Sequence, residues 1–375
     1  MNDIDTRLDA VRGTATPKAH NARTIAALTS NPGCARRSVL DAAAVDKQAL
    51  SEHLGHPAPF GMSTFAIARG NSFEGYVKAH GCAELLRLLR EHLGLPLPEV
   101  SYDDLNTVGG RETLEARHLR TRQLLARAVR SGDDAGTLFD HPLLRMTIGG
   151  RPVYLEPDLV AFRMHGRFHI VEVKSFPVID GRADADKVAA AATQSAAYVL
   201  ALRELVTEFG ADPGIVSHDV FLVCPENFTN RPTAALLDVR KQVTVVRRQL
   251  VRLADIDRLV AELPAGLTLD LRPDATGVAT RPVEELRTAL DSIDARYAPE
   301  CLDTCELARH CRAGAGGQAA ALGRSVQEDL GGVDTIGTAI GLADGSRAPG
   351  EHEAEAAQVL QLAERLRREA LGGAA

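Results

Sequence analysis

The sequence predicts a mixed α/β domain in which helices surround a small mixed sheet. Two observations support this fold class. The first third of the chain carries the apolar spacing of amphipathic helices, whereas its middle carries two short apolar runs joined by a glycine-containing turn. Beyond that turn, helical and strand patterns alternate, as expected when helices pack against a sheet.

The elements follow in a clear order. Helical patterns come first, at residues 34–54, 61–81, 83–92 and 112–130. Two strand patterns, Pro152–Phe162 and Phe168–Lys174, flank a turn at 164–167, which predicts a hairpin. The remaining predicted elements are a long Ala-rich helix at 184–209, an apolar strand at 215–224 and a helix at 236–263.

Composition limits the functional classes. The formal net charge of -7 provides no overall attraction to nucleic acid, although a local basic groove would suffice for DNA. No run of about 20 apolar residues is present, and residues 1–21 lack the apolar core of a signal peptide, so we expect a cytoplasmic protein without a membrane partner. In a reducing compartment, the six cysteines indicate metal binding or catalysis rather than disulfides.

The main chemical signal lies in the predicted hairpin. Glu156-Pro157-Asp158 occurs on its first strand, and Glu172-Val173-Lys174 ends its second. Because side chains alternate between faces of a strand, Glu172 and Lys174 share one face. If the two strands pair, Asp158 comes opposite Glu172, so two carboxylates and an ammonium converge.

This combination suits hydrolysis of phosphodiesters. Carboxylates bind Mg²⁺ or Mn²⁺ through hard oxygen ligands, and the metal activates water and offsets charge on the phosphate. A lysine can position or deprotonate that water. The alternative is an exposed hairpin with an ion pair, since such a short motif also occurs by chance.

Further residues carry a resemblance to a known family. Pro157-Asp158 with Glu172-Val173-Lys174 resembles the signature of the PD-(D/E)XK nuclease superfamily. Gln194 and Tyr198 match the Gln-x-x-x-Tyr helix of its RecB-like branch. Glu74, in Gly70-Asn71-Ser72-Phe73-Glu74, stands where that branch has a histidine on an early helix.

The resemblance implies a restriction-endonuclease-like core at residues 32–312, with a helical insertion at about 81–151. Residues 1–31 would form an N-terminal arm, and residues 313–375 a linker and a helical tail. The implied activity is metal-dependent hydrolysis of DNA by an exonuclease, in DNA repair, CRISPR adaptation or phage defence. Single-stranded DNA or duplex ends would be the substrate, with a helicase or another repair or defence subunit as a possible partner.

The same resemblance implies roles for individual residues. Asp158, Glu172, the Val173 carbonyl and Glu74 would bind Mg²⁺ or Mn²⁺. Lys174 would assist the attacking water. The remaining pair, Gln194 and Tyr198, would orient the substrate or the lysine.

Cysteines form a second signal. Cys301, Cys305 and Cys311 have C-x₃-C-x₅-C spacing, and thiolates suit iron–sulfur clusters or zinc. RecB-like nucleases with iron–sulfur clusters place one cysteine before the nuclease core and three after it, which makes Cys34 the fourth ligand. The first gap is one residue longer than usual there. The resemblance favours a structural [4Fe–4S] cluster and leaves zinc open, with His310 as a substitute ligand.

Two rival functions remain from the sequence. One is an iron–sulfur scaffold subunit whose nuclease site is silent. The other is a zinc-binding regulatory protein with a chance motif. Cys82 and Cys224 are expected to be buried core residues, and simple burial is also an alternative for the three late cysteines.

Overall fold

The chain divides into two compact units in a computed structural model that describes residues 3–18, 20–57, 64–93, 101–105, 113–131, 137–148, 151–164, 166–254 and 256–372. The cysteine unit comprises Met1–Lys18, Ser30–Phe60 and Arg258–Ala375. The sheet unit comprises Ala19–Thr29 and Gly61–Asp257. The predicted hairpin lies in the sheet unit, and Cys34 with the three late cysteines lies in the cysteine unit.

The secondary structure is mixed. The strands are β1 (Ser101–Asp104), β2 (Thr137–Asp140), β3 (Leu144–Ile148), β4 (Arg151–Leu155), β5 (Leu159–Met164), β6 (Arg167–Val173), β7 (Asp219–Pro225) and β8 (Pro232–Asp238). The first eight helices are α1 (Asp3–Arg12), α2 (Ala22–Ala27), α3 (Ala35–Ala42), α4 (Lys47–His53), α5 (Thr64–Leu93), α6 (Leu114–Ser131), α7 (Ala185–Glu208) and α8 (Arg240–Ala254). They are followed by α9 (Ile256–Ala261), α10 (Val283–Asp291), α11 (Cys301–Thr304), α12 (Ala308–Gly314), α13 (Arg324–Asp329), α14 (Ile336–Asp344) and α15 (Ala354–Gly372).

The sheet unit is built on one mixed sheet. Within the described residues it has six strands in the order β1-β2-β5-β6-β7-β8, and β3 and β4 form a separate antiparallel pair. Strand β6 pairs antiparallel with β5 and parallel with β7. Both faces of β6 are covered, so every residue from Phe168 to Val173 is buried and exposed positions do not alternate with buried ones.

Helices cover both faces of this sheet. Phe168 and Ile170 of β6 pack into a core with the Ala-rich helix α7, where small side chains allow close approach. Val171 and Val173 face the other way and pack against α5. Asp184 caps α7 by accepting hydrogen bonds from the amides of residues 186 and 187 at 3.1 and 3.2 Å.

Several predicted elements are confirmed. β5 and β6 form the hairpin, with Leu159 opposite Val171 and with Gly166 at a φ of 72° in its turn. The Ala-rich helix agrees with α7 within one residue at each end. The two early helical patterns on either side of residue 82 correspond to α5, whose backbone is non-helical at residues 79–82.

Other predictions need correction. The strand expected at 152–162 is two strands, β4 and β5, interrupted at Glu156-Pro157-Asp158, because proline cannot donate to a ladder. The insertion at 81–151 is not purely helical, since it contains β1, β2 and β3. Strand β8 occupies residues within and before the helix expected at 236–263.

The expected ends of the chain also differ. The N-terminal arm contains α1 and α2, and Leu8 and Val11 are buried. The expected linker and tail contain helices α13 to α15, which bury a small core of their own that includes Leu330 and Leu342. No helix in the described part of the chain is long and apolar enough to cross a membrane.

We expect the core under α7 to dominate the stability of the sheet unit. Phe168 is fully buried, so Phe168→Ala should lower the free energy of unfolding by about 3–5 kcal/mol. The matched control is Phe228→Ala, because that ring is 84% exposed and its loss should change stability by less than about 0.5 kcal/mol. Urea denaturation of both variants measures the difference, and equal midpoints would contradict the assignment of this core.

Candidate metal centre and cysteine cluster

The sheet brings the predicted carboxylates and lysine together. Glu172 lies in β6 with only 1% of its surface exposed, and Lys174 follows the strand directly. The ammonium nitrogen of Lys174 lies 2.5 Å from Glu172 Oε1 as an ion pair. Neither oxygen of Glu172 accepts a hydrogen bond of ordinary geometry. A buried carboxylate with unused lone pairs is costly unless a cation completes its environment.

Asp158 reaches this site from the start of β5. Its Oδ2 accepts a hydrogen bond of 2.7 Å from the amide of Val173. Because Leu159 pairs with Val171, the register places Pro157 opposite Val173. Proline has no N–H, so the Val173 carbonyl is deprived of the ladder hydrogen bond from that strand. This carbonyl oxygen is therefore suited to be a third hard ligand beside Asp158 and Glu172.

The site is electrostatically strained in the absence of a cation. Burial and the nearby Asp158 charge raise the pKa of Glu172 to about 8. Burial also raises the pKa of Asp158, although Lys174 opposes it. Burial disfavours the Lys174 ammonium, but Glu172 and Asp158 outweigh this and raise its pKa. A divalent cation would relieve this strain by favouring both carboxylates in their charged form.

Two residues of α7 hold the lysine. Lys174 Nζ donates to Gln194 Oε1 at 3.3 Å, and Gln194 Nε2 donates to the hydroxyl of Tyr198 at 2.9 Å. Gln194 and Tyr198 are four residues apart and share a helical face, as the sequence predicted. Burial, followed by the Glu172 and Asp158 charges, raises the pKa of Tyr198 well above its usual value, so it stays a neutral phenol.

Glu74 belongs to a neighbouring set of charges, the Lys78 cluster, which comprises Glu74, Lys78, Asp140 and His141. Lys78 Nζ contacts Glu74 and lies 2.5 Å from Asp140 Oδ1. His141 places Nε2 3.1 Å from Glu74 and Nδ1 2.9 Å from Asp140. Burial opposes the imidazolium, but these two carboxylates raise the pKa of His141 to about 9. Glu74 is thus engaged by an ammonium and an imidazole, whereas the sequence predicted a metal ligand.

The sequence analysis missed the other three members of this cluster. Asp140 ends the apolar strand β2 and His141 directly follows it, so these residues lie at a strand end as Asp158 lies at the start of β5. The assignment of this segment to a helical insertion concealed that signal. Lys78 lies four residues after Glu74, a spacing that predicts contact on a helix.

Glu156 takes no part in the candidate metal centre. Both of its oxygens contact the guanidinium of Arg117, at 2.9 and 3.4 Å. Of the two carboxylates that flank Pro157, only Asp158 therefore lies beside Glu172 and Lys174.

The cysteine unit holds the second candidate site. Cys34 precedes α3, Cys301 begins α11, Cys305 follows that helix, and Cys311 lies in α12. The first three are buried, and Cys311 is partly exposed. All six cysteines of the chain lie in the described residues, and none is joined to another by a disulfide.

Polar donors face two of these sulfurs. Asn31 Nδ2 donates to Cys301 Sγ at 3.2 Å, and a guanidinium nitrogen of Arg36 donates to Cys311 Sγ at 3.5 Å. Burial raises the pKa of Cys311, Arg36 opposes this, and Cys34 and Cys301 are near enough to contribute to it. Nitrogen donors aimed at sulfur stabilise thiolates, so the donor set fits a thiolate-bound metal or cluster.

A buried ionic network supports the Cys305 segment. Lys47 Nζ contacts Asp41 and lies 3.3 Å from Glu306. Arg37 lies 3.4 Å from Asp41 and donates to the Thr304 carbonyl at 3.0 Å. Burial raises the pKa of Cys305 to about 12, although the positive charges of Lys47 and Arg37 oppose it. The network fixes α3 and α4 against the segment that carries Cys305.

The remaining candidate ligands have other partners. Nε2 of His310 lies 3.2 Å from Asp291, and its ring packs edge-on against His56 at 5.6 Å between centroids. Cys82 and Cys224 are buried in two apolar clusters of the sheet unit. These contacts agree with the expectation that both cysteines are core residues.

Comparisons with known proteins give little guidance. No family model matches the chain, and no curated protein matches it. A solved structure described as "Crystal structure of SSO0001" is matched at 14% identity, over 55% of this chain and 83% of that one, with a TM-score of 0.20. A likeness of that degree carries no argument about fold or function.

The raised pKa of Glu172 predicts a specific pH dependence of stability. The folded protein retains a proton on Glu172 up to about pH 8, whereas the unfolded chain releases it near 4.5. The free energy of unfolding of the metal-free protein should therefore fall as pH rises from 4.5 to 8. Glu172→Gln should remove most of this fall, so its melting temperature should exceed that of the wild type at pH 8 but not at pH 4.5.

Thermal unfolding in a chelator for divalent cations, at both pH values, measures this effect. Glu208→Gln is the matched control, because Glu208 is an exposed glutamate at the end of α7. The prediction is contradicted if the difference in melting temperature between wild type and Glu172→Gln is the same at both pH values.

Proposed function

We propose that this protein is a metal-dependent deoxyribonuclease of the PD-(D/E)XK superfamily, in its RecB-like branch, with a restriction-endonuclease-like core in the sheet unit. The observation that carries the proposal is the buried Glu172 carboxylate, which lies beside Asp158 and pairs with the Lys174 ammonium but accepts no hydrogen bond of ordinary geometry. An apolar sheet has no structural need for this combination, which costs stability unless a metal ion binds.

The residues present fit Mg²⁺ or Mn²⁺. Asp158, Glu172 and the Val173 carbonyl would hold the ion, which when bound would activate water and offset charge on the phosphate. Lys174, whose ammonium has a raised pKa, would then position the attacking water or stabilise the transition state. Gln194 and Tyr198 orient Lys174 through the hydrogen-bonded chain from α7. Glu74 would influence this centre through the Lys78 cluster rather than as a direct ligand.

The second component of the proposal is a structural [4Fe–4S] cluster held by Cys34, Cys301, Cys305 and Cys311. The nitrogen donors of Asn31 and Arg36 at two of the sulfurs support a thiolate-bound group, with zinc as the alternative. The substrate would be single-stranded DNA or duplex ends, attacked as an exonuclease, and a helicase or another repair or defence subunit would supply unwinding.

The nuclease proposal predicts a strong dependence on Lys174. Lys174→Ala should lower the rate of Mg²⁺- or Mn²⁺-dependent cleavage of end-labelled DNA by at least about 100-fold, because the water loses its positioning group. Asp158→Asn should abolish cleavage by removing a metal ligand. The matched control is Lys187→Ala, since the Lys187 side chain is 58% exposed on α7 and should be dispensable.

Three outcomes separate the candidate functions. Loss of cleavage in the two site variants with retention in the control supports the nuclease. No cleavage by folded wild-type protein, on single-stranded or duplex DNA with either metal, contradicts it and favours the silent scaffold. Equal cleavage by wild type and Lys174→Ala would indicate a contaminating enzyme.

The cluster proposal predicts colour. Protein purified without oxygen should absorb broadly in the visible range and contain iron and sulfide, and Cys301→Ser should lose both properties. Cys82→Ser is the matched control, because Cys82 is equally buried but lies in the sheet unit. Colourless protein that contains zinc would contradict the iron–sulfur cluster and indicate a zinc site instead.

A further inference from the structure

The ammonium of Lys78 has the surroundings of a bound cation. It contacts Glu74, lies 2.5 Å from Asp140 Oδ1 and donates to the Asp158 carbonyl at 3.2 Å. Its side chain is only 9% exposed. Two carboxylates and a backbone carbonyl are the oxygen types that hold hard divalent cations.

The ligand atoms around this ammonium are already gathered. Oxygen atoms of Glu74 and Asp140 and a ring nitrogen of His141 lie within 4.8 Å of one another. Asp158 joins this set through its carbonyl and the candidate metal centre through its carboxylate. Asp158 therefore connects the Lys78 ammonium, which its carbonyl contacts, with the metal ion that its carboxylate and that of Glu172 would bind.

We propose that the Lys78 ammonium occupies the place of a second divalent cation, so that this nuclease works with a single metal ion at Asp158 and Glu172. The inference rests on the proposed function, which supplies the first metal ion. The contacts that support it are those of the Lys78 cluster alone. The ammonium lies where oxygen atoms of Glu74, Asp140 and Asp158 converge, so a metal ion could enter there only by displacing it. In two-metal phosphodiesterases a second ion supplies positive charge beside the first, and here the ammonium of Lys78 would supply it.

The same contacts make Lys78 a positioning residue for Asp158. The Asp158 carbonyl accepts hydrogen bonds from Lys78 Nζ at 3.2 Å and from the amide of His141 at 3.1 Å. These bonds fix the backbone of the residue that presents its carboxylate to the metal. Removal of the ammonium should therefore change both the number of bound ions and the affinity of the first one.

The test counts Mn²⁺ ions per chain in anaerobically purified full-length protein, by electron paramagnetic resonance of free Mn²⁺ and by calorimetry. Wild type should bind one ion at the candidate metal centre. Lys78→Ser removes the ammonium and leaves space, so it should bind two, with magnetic coupling between them. Lys78→Met fills the space without charge and is the matched control, which should bind no second ion. Addition of Asp140→Asn to Lys78→Ser should weaken the second ion at least tenfold.

Each outcome decides the proposal. Equal Mn²⁺ stoichiometry in Lys78→Ser and Lys78→Met overturns it. If Lys78→Ser is unfolded without metal, folding on addition of Mn²⁺ supports the proposal, and failure to fold at saturating Mn²⁺ overturns it. The proposed function has its own contradicting outcome: wild type binds no Mn²⁺, or Asp158→Asn binds as much Mn²⁺ as wild type. The comparison between the two Lys78 variants remains valid in that case.

Discussion

The burial of the Glu172 carboxylate is the constraint on which the arrangement of the sheet unit depends. A charge that is 1% exposed in an apolar sheet must find compensation, and its environment contains one ammonium and no well-directed hydrogen bond. Lys174, Gln194 and Tyr198 form a chain that keeps that ammonium in place. Under the proposed function, a bound divalent cation would supply the rest of the compensation. Metal binding would then offset the free energy that the burial of Glu172 costs.

Pro157 has a structural role that explains its position beside Asp158. It interrupts the strand pattern between β4 and β5, and it removes the N–H that would otherwise pair with Val173. The Val173 amide donates to the Asp158 carboxylate, and this contact supplies no donor to the Val173 carbonyl. Pro157 thus places the Asp158 carboxylate beside β6 and leaves the Val173 carbonyl without its ladder hydrogen bond. This local chemistry links the sequence motif to a set of three oxygen ligands.

The sequence was informative where neighbours along the chain determine the structure. The hairpin, the shared face of Glu172 and Lys174 and the spacing of Gln194 and Tyr198 follow from local periodicity, and the structure brings those side chains together as expected. Sequence could not reveal the partners of Glu74, because Asp140 and His141 are more than 60 residues away and depend on the pairing of β2 with β5. The N-terminal helix α1 was missed for a similar reason, since Leu8 and Val11 show their apolar role only through burial within a discontinuous unit.

The order of segments along the chain bears on the proposed role of the cysteines. The cysteine unit is assembled from segments on both sides of the sheet unit in sequence, and the contact from Asn31 to Cys301 joins residues 270 positions apart. Closing a loop costs entropy that grows with its length, and under the proposed function four metal–thiolate bonds would help to offset that cost. Thiolates are soft ligands and the carboxylates of the sheet unit are hard ones, so the two proposed sites would favour different metals. A cluster in the cysteine unit can therefore serve assembly of the chain without competing for the ion that would serve catalysis.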